Sequence, residues 1–382
     1  MTENKYLLLT PGPLSTTAGV KEAMLRDWCT WDRDYNDVVE GLRRDLVEMA
    51  LRDRAKLPVY TAVLMQGSGT FAVESVVGSV IPRGGKLAVL SNGAYGRRIA
   101  EIAGVLKIPA VELRFDECER PEAATLAEML EDDPAVTHVA VVHCETTTGI
   151  LNDIESVGRV AKRYGKKFIV DAMSSFGGVP LYMDDLEIDF LISSANKCVE
   201  GVPGFAFAVA KREALAACAG RARSLALDLY SQWKTMEEHG GKWRFTSPTH
   251  AVVAFAEAMR ELKAEGGVAA RNRRYTANRD LLVRGMARLG FRALLPAELR
   301  SPVITSFLYP ADDGFCFTDF YEFLKGEGYV IYPGKLSERD TFRIGNIGDI
   351  REEQIAGLLA AVEQYAGRLA GEEAKEVPPI CA

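Results

Sequence analysis

The chain reads as an α/β protein: a large domain on a mostly parallel seven-stranded sheet, followed by a smaller α+β C-terminal domain. Three observations carry that reading. Apolar runs of strand length alternate with helix-length segments from about Ala62 to Ala210. These runs are nearly free of polar residues, the pattern of strands buried on both faces. After Ala210 the alternation fades into helix-rich sequence and then a second mixed region. With 382 residues and 48% hydrophobic content, the chain can form two domains and a core that needs no disulfide or structural metal.

Ala62–Gln66 is expected as the first strand, running into a glycine turn and a helical stretch over 70–80. Strands follow at 86–90 and 110–114, separated by a helix over 93–106 and followed by an amphipathic segment, 121–131. A strand over 137–143 leads to a helix over 153–164, where Asp153 is placed to cap the first turn. Strands over 167–171, 190–193 and 205–210 complete the set. Residues 213–227 and 250–289 are expected to be helix-rich, with a break at Gly266–Gly267. Beyond them, strands are predicted near 302–308 and 329–331, and a last helix near 351–368. From Gly371 the sequence becomes dense in charge and turns to Val-Pro-Pro, so it is expected to fray. The resulting division is an N-terminal arm (1–20), a large domain (21–265), a small domain (266–370) and a flexible tail (371–382).

Charge and composition exclude several function classes. The 46 basic and 53 acidic residues leave a net charge of −7, which argues against nucleic acid as the main partner. Seven cysteines without a CxxC pair do not form a secretory disulfide framework. The histidines at 138, 143, 239 and 250 have no metal-ligand spacing, so no metal is expected. No apolar stretch reaches the length of a signal core or a membrane span, which points to a cytoplasmic setting. Cys144 beside His143 reads as an interior strand end rather than a thiolate nucleophile.

Three stretches carry chemistry. Gly67-Ser68-Gly69-Thr70 follows a strand and opens a helix, where backbone amides and hydroxyls attract an anion. It is neither a Walker A loop nor GxGxxG, and by itself it reads equally as a capped glycine turn. Asp171 ends the KFIVD strand, at the edge of an open α/β sheet where ligands bind; a turn or cap role is the alternative. Lys197 follows an apolar strand among small residues, where lost hydration lowers an amine's pKa and makes it nucleophilic toward carbonyls. In chain order, an anion cradle, a strand-end carboxylate and a strand-end lysine are what pyridoxal 5′-phosphate requires for its phosphate, ring nitrogen and aldehyde.

With these residues in view the chain resembles the class V, fold-type I aminotransferases over nearly its full length. Within them it is most similar to the branch acting on 2-aminoethylphosphonate and pyruvate. The resemblance rests on LLLTPGPL (7–14), CTWDRDYN (29–36), QGSGTFAVES (66–75), NGAYGRR (92–98), HCETTTGILND (143–153), VDAMSSFGG (170–178), SSANKCVEGVPGF (193–205), GKWRFTSPTH (241–250) and FRIGNIGD (342–349). An alanine– or serine–glyoxylate aminotransferase is the near alternative. Cysteine desulfuration, which would need a mobile reactive Cys316, is a more distant one.

The resemblance implies roles residue by residue. Lys197 corresponds to the Schiff-base lysine and Asp171 to the partner of the pyridine nitrogen. Ser68, Gly69 and Thr70 correspond to the phosphate cradle, and Tyr95 to the ring stacked on the cofactor. Thr146, Met173 and Asn196 correspond to further pocket positions. Thr246 matches a residue reaching the cofactor phosphate of the other subunit, which implies a homodimer with shared active sites. Arg343 matches the arginine that binds the substrate acid, with extra donors expected around Pro11–Gly12 or from CTWDRDY. Trp31 and Tyr35 are expected either to line the substrate mouth or to pack between subunits.

Overall fold

The computed structural model describes residues 4–310, 314–334, 336 and 339–372. Its centre is a seven-stranded sheet of β1 (Tyr60–Gln66), β2 (Lys86–Ser91), β3 (Ala110–Arg114), β4 (Val136–Val142), β5 (Lys167–Asp171), β6 (Phe190–Ser194) and β7 (Phe205–Lys211), in the order β1-β7-β6-β5-β4-β2-β3. All neighbours run parallel except β7, which is antiparallel to both β1 and β6. The β4, β5 and β6 residues are almost all buried, as continuous apolar runs require. Val142 pairs with Asp171, and Asp171 with Ile192, so three strands end side by side.

Helices cover the sheet. Gly69–Val80, Ala94–Val105, Ala123–Asp132 and Ile154–Arg163 lie close to the expected spans, and Asp153 caps the last of these by accepting from the Ser156 amide. The expected break at Gly266 separates Thr249–Glu265 from Gly267–Arg288. Arg33–Ala50 is a helix the periodicity did not announce. Its inner face includes charged Arg43, which pairs with Glu40 and Glu237 and donates to the Ala62 carbonyl at 2.8 Å.

One expectation is corrected. Within 213–227 only Arg212–Ala216 is helical. The rest serves the end of the Gly69–Val80 helix: Arg223 donates to the Gly78 and Ile81 carbonyls, while the Ser75 hydroxyl donates to Leu227. Those tertiary bonds replace the intrahelical ones the local sequence would otherwise make.

Toward the C-terminus, β8 (Ile304–Leu308), β9 (Tyr332–Pro333) and β10 (Thr341–Gly345) form a second sheet with β10 in the middle. Phe307, Phe320 and Phe342 fill its core, together with Leu9 from the N-terminal segment. Leu7–Leu8 is itself a short strand, parallel to Tyr329–Val330, and Leu9 accepts from the Gly345 amide at 2.9 Å. The last helix runs Glu352–Glu372, past its expected end at 368, and the remainder of the expected tail, 373–382, lies outside the described residues. No described helix is long and apolar enough to cross a membrane.

Candidate active site

The parallel strands of the sheet deliver their carboxyl ends to one cavity of about 210 Å³. Its walls include Ser68, Gly69, Thr70, Tyr95, Arg98, Asp171, Met173, Asn196 and Lys197. The fold therefore gathers most of the residues singled out from the sequence, although they come from four separate strand ends.

The cradle comes from the turn after β1. Ser68 is the N-cap of the following helix, but its side chain makes no capping hydrogen bond, so the hydroxyl and first amides stay available to an anion. A Cβ on Gly69 would come within 2.4 Å of the Met173 sulfur, so a larger residue there would displace the Met173 side chain. Arg98 brings a cation to the same wall, donating weakly to the Thr70 hydroxyl at 3.4 Å and lying 5.1 Å from the Tyr95 ring centre.

Asp171 is buried at the end of β5 and accepts from the Met173 amide at 2.9 Å. Burial pushes its carboxyl up to about 6; nearby Glu145 adds to the rise, while the Met173 amide, Lys197 and Arg98 oppose it. Lys197 lies beyond the end of β6, and burial depresses its amine below the usual lysine value. Its Nζ donates to the Pro11 carbonyl at 2.9 Å, and a Cβ on Gly12 would sit 2.8 Å from that Nζ. Gly12 thus forms a roof over the lysine, and its own amide points to Thr10 at 3.3 Å.

The turn carrying Lys197 is anchored by a buried ionic cluster. Glu200, in the left-handed region at φ 69°, donates its amide to the Lys197 carbonyl at 2.7 Å. Its carboxylate accepts from Tyr275 at 2.6 Å and Arg274 at 2.9 Å and faces Arg271 at 3.6 Å. Glu265 receives both arginines at 2.8 Å, and Arg274 also donates to the Gly348 and Ile350 carbonyls.

Arg343, on β10, is buried and lies outside the cavity wall, yet its charge reaches Lys197 and lowers that amine further. Nε donates to Pro333 O at 3.0 Å and Nη1 to Thr146 O at 2.8 Å. Five N–H groups less two leave three for a ligand. Among the described residues it pairs with no carboxylate. Thr146 likewise lies outside the cavity wall, and its carbonyl holds Arg343.

Thr246 is not brought into the cavity of its own chain: it is exposed beside the exposed Phe245. Tyr35 is fully buried and bonded to Ser247 at 2.6 Å, which removes it from any substrate mouth, whereas Trp31 is 78% exposed. Cys144 and His143 are buried and inert: burial pushes the thiol up to about 12 and the imidazole down to about 4. Cys316 is a buried helix N-cap residue, unlike a mobile reactive loop.

Sequence reasoning missed Arg98 and Glu145. Arg98 was signalled by its i+3 spacing from Tyr95, which puts both on one helix face. Glu145 had no local signal for a capping role, because the helix amides it receives, at Tyr95 and Gly96, lie about fifty residues away.

Residues 58–336 match the family model described as Aminotransferase class-V. A 2-aminoethylphosphonate–pyruvate transaminase of Syntrophobacter fumaroxidans is 58% identical over 366 residues, covering 96% of this chain and 98% of that protein. One of the same name from Klebsiella pneumoniae is 57% identical over 364 residues, covering 95% and 98%. Among solved structures, an alanine–glyoxylate aminotransferase from Nostoc sp. superposes with a TM-score of 0.86 at 23% identity, covering 95% of this chain and 96% of that one. An aspartate aminotransferase from Thermus thermophilus gives 0.84 at 22% identity, covering 95% and 99%.

Proposed function

The chain belongs to the class V aminotransferase family, and from that premise we propose that it moves an amino group from 2-aminoethylphosphonate to pyruvate, giving phosphonoacetaldehyde and L-alanine. Members of the family work generally with pyridoxal phosphate, and this reading assigns pyridoxal 5′-phosphate to this chain. The observation that carries it is the meeting of an uncapped helix N-terminus, a buried carboxylate and a half-buried lysine in one cavity. The names of the end-to-end relatives favour the phosphonate substrate over the glyoxylate alternative.

The residues present fit the cofactor. Ser68, Gly69 and Thr70 would hold its phosphate, with Arg98 adding positive charge. Asp171 would face the ring nitrogen, Tyr95 would support the ring face, and Thr146, Met173 and Asn196 would complete the surroundings. When bound, the cofactor supplies an electron sink that lets the proton on the substrate's amine-bearing carbon leave. Lys197 would hold the cofactor's aldehyde, and its Nζ would serve as the base that receives that proton. Its buried, depressed amine is neutral more readily than a solvated lysine, as a base must be. Arg343 would present its three unused N–H groups to the phosphonate in one half-reaction and to the carboxylate in the other. The roof at Pro11–Gly12 shields the lysine from water.

The same reading takes residues 1–20 as an arm, 21–265 as the cofactor-binding domain and 266–370 as the small domain, in a homodimer with shared sites. Exposed Trp31, Phe245 and Leu225 support a surface covered by a second copy, with Thr246 directed at the partner's phosphate. The test is alanine formation from 2-aminoethylphosphonate and pyruvate. Turnover of alanine with glyoxylate, but none of the phosphonate, would overturn the substrate.

A further inference from the structure

We propose that Glu145 is a positioning residue of the cofactor site, holding the Tyr95 ring in place through the helix that carries it. The Ala94–Val105 helix starts without a cap of its own, because its N-cap residue is Gly93, which has no side chain to accept from the first amides. Those amides are instead satisfied from the turn after β4. Ala94 N–H donates to Thr147 Oγ1 at 3.1 Å, Tyr95 N–H to Glu145 Oε2 at 3.1 Å, and Gly96 N–H to the same oxygen at 3.3 Å. The other carboxylate oxygen, Oε1, accepts from Thr147 Oγ1 at 2.5 Å and the Thr147 amide at 3.2 Å.

Glu145 is therefore a capping residue supplied by another element, fully buried and with both oxygens engaged. Its negative charge suits the positive end of the helix. Gly93 is matched to it: a Cβ there would lie 2.4 Å from the Glu145 Cδ, so the carboxylate fits only against glycine. The same turn continues into Thr146, whose carbonyl receives Arg343. One turn thus braces the helix bearing the aromatic ring and the arginine facing the lysine. A glutamine at 145 keeps the shape but offers a single acceptor oxygen. Its NH₂ would face either the Tyr95 and Gly96 amides or the Thr147 amide, donor against donor.

This inference rests on the cofactor reading above, and its test separates the two. Apoprotein is titrated with pyridoxal 5′-phosphate, following tryptophan fluorescence, for the wild type, Glu145→Gln, Tyr95→Ala and the double variant. If Glu145 acts through the ring, Glu145→Gln weakens cofactor affinity roughly 10-fold in the native background and less than about 2-fold in the Tyr95→Ala background. Equal losses in both backgrounds, or no loss in either, overturn the assignment. If Glu145→Gln does not fold, Thr147→Val, which removes only the hydroxyl shared by Glu145 and Ala94, goes through the same cycle and is judged by the same criteria. Wild-type apoprotein that takes up no pyridoxal 5′-phosphate overturns the cofactor reading and this one together.

Discussion

Replacing Glu200 by glutamine removes one negative charge from a buried set of two glutamates and two arginines while keeping the side chain's shape. Tyr275 keeps an acceptor in the amide oxygen. Arg274 loses its charged partner at 2.9 Å and Arg271 the one at 3.6 Å, leaving Glu265 alone to balance both guanidiniums. Stripping one partner from a buried ion pair costs about 3–5 kcal/mol. The lower end applies, because Arg274 keeps Glu265 and two carbonyls and Arg271 keeps Glu265 and the Cys198 carbonyl. At about 2.1 cal/mol/K of unfolding entropy per residue, a chain of 382 residues loses roughly 4 °C of Tm for about 3 kcal/mol. The assay is thermal unfolding of the cofactor-free protein, with Glu265→Gln and the double variant alongside. Sharing the same arginines, the two substitutions should not be additive. Added salt should not restore the loss, since a buried cluster is poorly screened. A Tm shift below about 2 °C would refute the argument that this cluster carries the Lys197 turn.

Four further outcomes are expected. Lys197→Ala should fold and bind the cofactor more weakly, without turnover; normal turnover in a coupled alanine assay would remove the lysine from its role. Thr246→Ala should lower cofactor affinity roughly 10- to 100-fold, for a lost bond to a charged group worth about 1.5–3 kcal/mol, and unchanged affinity in an equilibrium titration would rule out its contact with a partner's phosphate. Arg343→Lys should depress kcat/KM in both half-reactions, because an ammonium cannot span two backbone carbonyls and an acid head; single-turnover kinetics that slow only with pyruvate would place the phosphonate elsewhere. Burial holds His143 at about 4 when folded, below its usual 6.5, so the unfolded chain binds the extra proton first and stability present above pH 6.5 is lost as pH falls toward 4. At about 1.4 kcal/mol per unit this amounts to roughly 3 kcal/mol, and His143→Asn should flatten that part of the Tm–pH curve; an unchanged slope would count against it.

What the sequence made legible follows from how local each cause is. The apolar runs of the seven strands are self-contained signals, so the sheet could be read and Asp171 and Lys197 placed at strand ends. The Arg33–Ala50 helix escaped because its buried face includes Arg43, whose partners beyond Glu40 lie outside the helix, at Ala62 and at Glu237 far along the chain. Residues 217–227 looked helical because nothing local reveals that Arg223 is needed at the Gly78 and Ile81 carbonyls. Glu145 is the same case within the site: only the fold shows that a helix opened by Gly93 lacks its own cap. Thr246 differs again, since a side chain facing away from its own cavity gives one chain no geometry to read.

The N-terminal segment has a consequence for how the protein is made. Leu7–Leu8 finds its strand partner at Tyr329–Val330, Leu9 bonds to Gly345, and Pro11 then receives Lys197. A ribosome delivers Leu7–Leu9 long before Tyr329–Gly345, on the order of 320 residues earlier. At roughly 5–20 residues per second, that separation is on the order of 15–60 s. The central sheet, Lys197 and Glu261, which receives the Thr17 hydroxyl at 2.7 Å, can emerge within that interval, but the Leu7–Leu8 strand pairing and the Leu9–Gly345 bond wait for the C-terminal region. A nascent chain stalled before Tyr329 would therefore carry the Pro11–Gly12 roof without the strand pairing and the Leu9–Gly345 bond that fix its N-terminal side.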